Sequence, residues 1–186
     1  MTEVSSLTGR LLVATPALAD PNFDRAVVLL LDHDDEGSLG VVLNRPTPIT
    51  VSDILAPWAG LAGEPGVVFQ GGPVSLDAAL GVAVIPGDEG PLGWRRVYGA
   101  IGLVDLETPP ELLGPALGSL RIFAGYAGWG PGQLESELDD GAWYVVESEP
   151  GDVSSPHPET LWRQVLRRQR GELAMIATYP DDPSLN

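Results

Sequence analysis

The stretch LRIFAGYAGWGPGQLESEL, residues 120–138, begins with apolar residues at strand spacing and ends with apolar residues at helical spacing. Between the two halves lie glycines that favour a tight turn, at positions 125, 128, 130 and 132. Pro131 suits the first turn of a helix, where the missing N–H costs nothing. Leu134 and Leu138 then fall on one face, and Gly141 stands where helices commonly end in a left-handed residue. The stretch therefore predicts a strand, a glycine turn and a short helix.

This central stretch contains no recognisable reaction centre. Its glycine spacing fits neither the dinucleotide fingerprint nor the phosphate-binding loop, and the acidic residues that follow disfavour an anion at the helix start. We interpret the glycines as permitting close backbone packing around Trp129. If Gly128 or Gly130 has a positive φ or lies against another backbone, alanine there should cost on the order of 1 kcal/mol or more.

The composition describes a soluble globular protein. A chain of 186 residues, 44% hydrophobic and 19% charged, is long enough for one domain with a substantial core. The net charge of −16 disfavours binding to the phosphate backbone of nucleic acids, so no nucleic acid is expected as a partner. The absence of cysteine excludes disulfides, thiolate catalysis and cysteine zinc sites.

Nothing in the sequence indicates a membrane or an export signal. No apolar run approaches the ~20 residues that a spanning helix needs. The apolar run at residues 11–19 is short, is broken by Thr15 and Pro16, and follows Glu3 rather than a basic cluster, so it does not fit a signal peptide. We therefore expect a cytoplasmic protein that does not bind membranes.

Several further segments have the periodicity of strands or helices. Residues 26–31 and 39–43 are apolar without alternation, which predicts a hairpin buried on both faces at the centre of a sheet. Other strands are predicted at residues 11–14, 67–69, 80–85, 98–103, 142–146 and 175–178. Helices are predicted at residues 52–55, capped by Ser52, and at 109–117 and 159–170. Hairpins alternating with a few helices predict a mixed α+β domain.

The predicted helix at residues 159–170 presents two faces. Trp162, Val165 and Leu166 form the inner face, and the opposite stripe consists of arginines at positions 163, 167 and 170. Arginines near a helix C-terminus suit the helix dipole, which is the interpretation we favour. The alternative is a basic face for an acidic partner or for a part of this protein's own acidic surface.

No metal site, cofactor or catalytic residue is predicted. The acidic loop at residues 32–37 resembles the first half of a calcium loop, but Leu43 stands where the bidentate glutamate belongs. His33 and His157 are the only histidines and lie in unrelated contexts, which argues against zinc. No nucleophile motif of a hydrolase occurs, although a triad is defined by geometry rather than by sequence.

Four segments resemble the YqgE/AlgH family of largely uncharacterised bacterial proteins. They are PALAD at residues 16–20 with Phe23 and Arg25, DHDDEGSLGVVLNRP at 32–46, QGGPV at 70–74 and GYAGWGPGQLESEL at 125–138. The matches run in order from about residue 11 to about residue 166. The resemblance implies a single α+β domain over residues 1–186, with a mixed, mostly antiparallel sheet curled towards a partial barrel and flanked by helices.

The resemblance supplies no catalytic residue, but it defines a candidate functional patch. The patch consists of Asn44, Arg45, Gln70, Gly71, Gly72, Tyr126, Trp129, Gln133 and Glu135. Our first hypothesis is a non-enzymatic regulatory or protein-interaction module that binds an unknown protein partner there. The alternative is a small-molecule-binding protein or an enzyme with a cleft around Arg45, Trp129 and Glu135. In that cleft Glu135 would be the acid/base and Arg45 an anion clamp. The family name also suggests a direct transcriptional regulator, which the acidic charge disfavours.

Overall fold

The computed structural model describes residues 6–18, 20–21, 23–87, 90–169 and 171–178. Within these ranges the strands are β1 Leu11–Ala14, β2 Val27–Asp34, β3 Gly37–Val42, β4 Pro46–Thr50, β5 Val67–Gln70, β6 Val74–Val84, β7 Trp94–Tyr98, β8 Ile101–Val104, β9 Ser119–Trp129 and β10 Trp143–Val146. The α-helices are α1 Val51–Ile54, α2 Gln133–Asp139, α3 Pro150–Val153, α4 Leu161–Arg167 and α5 Glu172–Ile176. Single 3-10 turns lie at Ala56–Trp58, Pro110–Leu112, Gly114–Ala116 and Pro158–Thr160.

The strands form one curled sheet, a half-barrel that is antiparallel except where β5 runs parallel to β9. The main order is β10-β1-β2-β3-β9-β6-β8-β7, and β4 adds to β5. β7 and β10 are therefore the two terminal strands of this main order. This architecture confirms the expected α+β domain with a partial barrel.

The hairpin β2–β3 lies at the centre of the sheet, as predicted. Alternate residues of its strands enter two different hydrophobic clusters, because both faces of the sheet are covered. Val27 and Leu29 pack with the helices α3 to α5 on one side, and Val28 and Leu30 pack with α2 and the tryptophans on the other. This double burial explains why the sequence shows no alternation of polar and apolar residues.

β9 is the strand that joins the two parts of the sheet. It pairs antiparallel with β3 and β6 and parallel with β5. It continues through Gly125 and Gly128, so the predicted glycine turn is shorter than expected and Pro131 lies in the turn before α2, not in its first helical turn. The helix ends as predicted, with Gly141 at φ +78° and with the N–H groups of Gly141 and Ala142 donating to carbonyls of the last turn.

The region between β6 and β9 differs most from the sequence-based expectation. One strand was expected at residues 98–103, but the chain forms two strands, β7 and β8, joined at Gly99, which has φ +56°. The predicted helix at residues 109–117 is wrong. Two separate 3-10 turns occupy it, and Pro115, inside the second turn, lacks the N–H that a continuous helix would use.

Five smaller features also differ from the sequence-based expectation. The strand at residues 175–178 is wrong, because this short apolar run belongs to the end of α5 and packs on α4. β6 begins at Val74, six residues before the predicted strand at 80–85. β4 was not predicted, since its two prolines disfavour a strand. Among the described strands β4 pairs only with β5 and so lies at an edge, where proline is tolerated. Ser52 lies inside α1 and does not cap it.

The fifth feature is the predicted helix at residues 159–170, which is shorter in the structure, where α4 spans Leu161–Arg167. Arg170, which was assigned to its arginine stripe, lies outside the described residues.

Arg121, on β9, is a buried guanidinium with an exposed fraction of 2%. Its Nη2 donates to the Glu64 carbonyl at 2.8 Å and its Cζ lies 4.3 Å from the Phe69 ring centroid. Among the described residues, Nε and Nη1 have no hydrogen-bond partner. Burial lowers the pKa of Arg121 to about 10, so the cost of the buried charge is present throughout the pH range below that value.

We therefore expect Arg121→Met to raise the free energy of unfolding by about 1–3 kcal/mol at pH 7, because methionine fills similar space without a buried charge. Urea unfolding followed by circular dichroism measures it. Arg121→Lys is the matched control: it keeps the charge and loses the stacking on Phe69, so it should be no more stable than the parent. A destabilised Arg121→Met variant would contradict this interpretation of Arg121.

Candidate functional site

The structure divides the predicted patch into separate groups. Gln70 lies beside Ala124 of β9, whereas Trp129 lies beside Ser38 of β3. Five residues of an extended strand separate these two positions on β9, a distance of about 16 Å. Asn44 and Arg45 follow β3 at the end nearest Gln70. The residues Trp129, Gln133 and Glu135 lie at the other end, with α2.

Asn44 is a structural residue of the hairpin. Its exposed fraction is 9%, its Oδ1 accepts the Val27 N–H at 3.0 Å, and its Nδ2 donates to the Arg25 carbonyl at 2.9 Å. These two bonds replace strand pairing where β3 ends and fix the chain that precedes β2. The amide is therefore committed to the backbone and not presented to a ligand.

Gly71 and Gly72 allow close contact between backbones. The Gly71 N–H donates to the Ala124 carbonyl at 2.8 Å, and the Gly71 carbonyl accepts the Val42 N–H at 2.8 Å. A Cβ atom built on Gly72 would lie 2.2 Å from the Tyr126 carbonyl oxygen. These glycines hold β3 and β9 together at this end of the sheet.

At the other end, Glu137 of α2 organises the tryptophans. Its Oε1 accepts from the indole N–H of Trp129 and of Trp143, each at 3.0 Å. Its Oε2 accepts from the Gln133 amide at 3.1 Å, and the Phe23 ring packs against both indoles. The sequence prediction named Trp129 and Gln133 and missed Glu137. The available signal was that two tryptophans flanking one helix both require a hydrogen-bond acceptor when buried.

Glu135 forms a hydrogen bond with a buried histidine. His33 has an exposed fraction of 4%, and its Nε2 lies 3.1 Å from Glu135 Oε1. Its Nδ1 accepts the Leu7 N–H at 2.8 Å, so that nitrogen carries no proton and Nε2 is the donor to Glu135. The pair ties the N-terminal segment to α2. Glu135 itself is 41% exposed.

Arg45 lines two cavities, and neither contains Trp129 or Glu135. The first has a volume of about 300 Å³ and is lined by Asp24, Arg25, Asn44, Arg45, Pro158, Glu159, Trp162 and Arg163. The second has a volume of about 180 Å³ and is lined by Pro21, Val42, Arg45, Gln70, Gly72 and Pro73. The structure thus brings Arg45, Gln70 and Gly72 together but does not assemble one cleft around Arg45, Trp129 and Glu135.

A third cavity, of about 490 Å³, lies in the half-barrel beside the terminal strand β7. We call it the barrel cavity. It is lined by Thr8, Leu31, Asp32, Leu39, Ala78, Leu80, Arg95, Arg96, Val97, Leu103 and Tyr126. Of the predicted patch, Tyr126 alone lines it. Sequence inspection missed the rest, because the lining comes from six strands and the N-terminal segment and has no common motif.

The barrel cavity combines apolar walls with three charged side chains, those of Asp32, Arg95 and Arg96. Four leucines, a valine and an alanine form much of its wall. Arg96 donates to the carbonyls of Gly87 and Gly99. Arg95 is exposed, and its guanidinium makes no hydrogen bond or ion pair with any described residue. The site can therefore accept an apolar group beside a negative charge.

The described residues offer no metal-binding cluster and no membrane-spanning helix. Histidine, aspartate and glutamate side chains within these ranges form no group of three or more that would hold a metal ion. In the same part of the chain, no helix has the length and apolar character to cross a membrane.

Comparisons with known proteins identify relatives over nearly the whole chain. A family model described as AlgH-like matches residues 11–174. A UPF0301 protein of Streptomyces avermitilis is 87% identical, with 100% of this chain and 98% of that protein covered. A UPF0301 protein of Thermobifida fusca is 52% identical, with 97% and 96% covered.

Two solved structures have the same fold. The crystal structure of a Corynebacterium diphtheriae protein matches with a TM-score of 0.89 and 30% identity, covering 96% of this chain and 95% of that one. The solution structure of the AlgH protein from Pseudomonas aeruginosa matches with a TM-score of 0.69 and 26% identity, covering 98% and 100%.

Proposed function

We propose that this chain, which belongs to the AlgH-like family of bacterial proteins, is a non-enzymatic protein-interaction module. Its recognition site is the barrel cavity together with the free edge of β7. The partner contributes an extended segment that lies along β7, with one apolar side chain in the cavity and a carboxylate at Arg95. The observation that carries the proposal is the position of an apolar cavity of about 490 Å³ directly beside a terminal strand.

The free edge supplies the first part of recognition. β7 pairs with β8 on one side, and no described strand pairs with its other side. A terminal strand presents unpaired N–H and C=O groups, and an extended segment of another protein can complete them as an added strand. In that mode the main chain supplies affinity and alternate side chains supply specificity.

The cavity supplies the second part. Its volume falls within the ~300–1,000 Å³ typical of specific binding sites. The cavity therefore has room for one apolar side chain and part of the neighbouring main chain. Leu76, two residues before Ala78 on β6, is 53% exposed, and Tyr98 at the end of β7 is 43% exposed. These exposed apolar side chains extend the apolar surface beyond the cavity, as expected for a docking surface.

The charge of the cavity rim defines the partner further. Arg95 is a cation without a partner among the described residues, in a chain whose net charge is −16. A carboxylate next to the inserted apolar side chain would form a charge-assisted hydrogen bond with it. Elsewhere the acidic surface disfavours strongly acidic partners, so a segment with one acidic residue fits better than a polyacidic one.

The contacts of the lining residues favour binding over catalysis. Among those that the structure describes, no hydrogen bond joins a hydroxyl group to a carboxylate or imidazole, the arrangement that activates a nucleophile. Glu135, the acid/base of the alternative hypothesis, lies outside this cavity and bonds to His33.

A peptide library displayed on phage, selected on the purified full-length protein, tests the proposal. We expect enriched peptides to carry β-branched residues around an apolar anchor with an adjacent Asp or Glu. Ala78→Trp fills the cavity and should weaken binding of an enriched peptide by about tenfold or more, equivalent to about 1.4 kcal/mol. Ala79→Trp is the matched control, because Ala79 is also exposed but does not line the cavity.

Two results would reject the proposal. One is that selection on the parent protein enriches no peptides beyond those enriched on the Ala78→Trp variant. The other is equal weakening of peptide binding by Ala78→Trp and Ala79→Trp, which would place the binding surface elsewhere.

A further inference from the structure

Three arginines converge on the cavity of about 300 Å³ that lies between the end of β3 and α4. We call it the arginine cavity. Arg25, Arg45 and Arg163 line it, and they come from three different segments of the chain. The whole chain has ten basic residues against 26 acidic ones, whereas this cavity is lined by three arginines and two carboxylates, a small local excess of positive charge.

Arg25 is held in the site by a strained backbone. Its φ is +54°, a left-handed conformation that costs a residue other than glycine about 1–3 kcal/mol. The Asn44 amide donates to the Arg25 carbonyl, and the Arg25 guanidinium lies 4.4 Å from the centroid of the Trp162 ring. Strain of this kind persists where the surrounding structure imposes it, often at ligand sites.

The hydrogen bonds of Arg45 run to neutral backbone oxygens. Arg45 donates to the carbonyls of Asp24 and Asn44, and Arg163 donates to the carbonyl of Ala177. Burial lowers the pKa of Arg45, and the charge of Asp24 opposes that shift. A bound anion would offset the cost of burying this positive charge, which carbonyl oxygens do only in part.

Two carboxylates also line the arginine cavity, and they indicate what the remainder of the ligand contains. Asp24 and Glu159 are present with the three arginines, and Glu159 lies 3.5 Å from His157. An ionised carboxylate is only a hydrogen-bond acceptor, so it disfavours a second anionic group and favours a hydroxyl donor.

We propose that the arginine cavity binds a small phosphate monoester that carries hydroxyl groups, with its phosphate at Arg25, Arg45 and Arg163 and its hydroxyls at Asp24 and Glu159. A phosphate fits better than a carboxylate, because one guanidinium fork satisfies both oxygens of a carboxylate whereas a phosphate monoester offers three terminal oxygens. This site is separate from the barrel cavity and does not depend on the proposed interaction function.

Isothermal titration calorimetry on the full chain at low salt tests the proposal with three probes. Glycerol 3-phosphate supplies both the phosphate and hydroxyl groups, inorganic phosphate supplies the anion alone, and glycerol supplies hydroxyls alone. We expect glycerol 3-phosphate to bind with one site per chain and more tightly than inorganic phosphate, and glycerol to give no heat of binding. A lack of binding by glycerol 3-phosphate at millimolar concentration would overturn the proposal.

Three variants make the test specific. Arg45→Gln should weaken binding of glycerol 3-phosphate by about tenfold or more. Arg10→Gln removes the same charge from an exposed arginine that pairs with Glu147 outside the cavity, and it should change binding less than about twofold. Glu159→Gln removes an exposed negative charge from the rim and should tighten binding of inorganic phosphate by about two- to threefold.

The variants also separate the site from general electrostatics. Equal losses in Arg45→Gln and Arg10→Gln would reject a specific site. If Arg45→Gln does not fold, weaker or unchanged phosphate binding by Glu159→Gln overturns the proposal. Ala78→Trp, which fills the barrel cavity, should leave phosphate binding unchanged, so either proposal can fail alone.

Discussion

Gly125→Ala is expected to lower the free energy of unfolding by about 3 kcal/mol, because it combines a left-handed backbone with a collision between main chains. Gly125 has φ +74°, and a Cβ atom built on it would lie 2.7 Å from the Gly72 carbonyl oxygen and 2.8 Å from that of Val74. Neither oxygen belongs to a flexible side chain, so relief would require β9 to separate from the start of β6.

Gly128→Ala, three residues further along β9, is the matched control. Gly128 has no positive φ, and a Cβ atom there would lie 3.8 Å from the Tyr126 ring at the nearest. We expect a change within about 0.5 kcal/mol, or a small gain from the lower entropy of the unfolded chain. Urea unfolding of both variants and the parent measures the difference. Equal losses in the two variants would contradict the steric explanation.

These two variants also correct the sequence-based expectation for the central stretch. The condition for a constrained glycine is a positive φ or contact with another backbone. Gly128 and Gly130 do not meet it, since the Cβ of an alanine at Gly130 would come no closer than 3.9 Å to the Gln133 side chain. Gly125 and Gly72 meet this condition instead, because a Cβ atom on either would collide with the backbone of the neighbouring segment.

Glu137→Ala is expected to lower the free energy of unfolding by about 2–4 kcal/mol, because it leaves two indole N–H groups without their acceptor. Trp129 and Trp143 have exposed fractions of 6% and 5%, so water has little access to either group. Both donate to the same carboxylate oxygen at 3.0 Å. Glu137→Gln should cost less, because its Oε1 can still accept from both indoles.

Glu135→Gln is the control on the same helix, two residues earlier. The side chain is 41% exposed, and a glutamine oxygen can accept the same hydrogen bond from His33. Its free energy of unfolding should remain within about 0.5 kcal/mol of the parent. Tryptophan fluorescence during denaturation reports directly on the Glu137 network. A stable Glu137→Ala variant with unchanged fluorescence would show that the carboxylate does not organise the indoles.

The fold was predictable where the local pattern and the tertiary environment agree. The strands β1, β2, β3, β5 and β10 were identified from apolar runs of β-branched residues, and Gly141 marked the end of α2. The errors fall where the local pattern is ambiguous. A short apolar run at residues 175–178 fits a strand or a helix, and only its packing against α4 selects the helix.

The candidate sites depended more on tertiary structure than the fold did. The segments that resemble the family put Arg45 and Gln70 in one candidate patch, and in the structure both line the cavity of about 180 Å³. The same matches grouped Arg45 with Trp129, because sequence order does not record that β3 and β9 place these residues at opposite ends of the sheet. Strand register decided that separation.

The sequence by itself determined the apolar runs, the acidic balance and the helix end at Gly141, because these depend on residue type and near neighbours. Only the tertiary structure decided the barrel cavity and the arginine cavity. Arg95 meets Tyr126 through the curl of the sheet, and Arg25 meets Arg163 only because α4 packs beside the turn before β2. The two residues of each pair line one cavity although they are 31 and 138 positions apart in the sequence. No local periodicity encodes contacts at that separation, so the path of the chain through the sheet decides them.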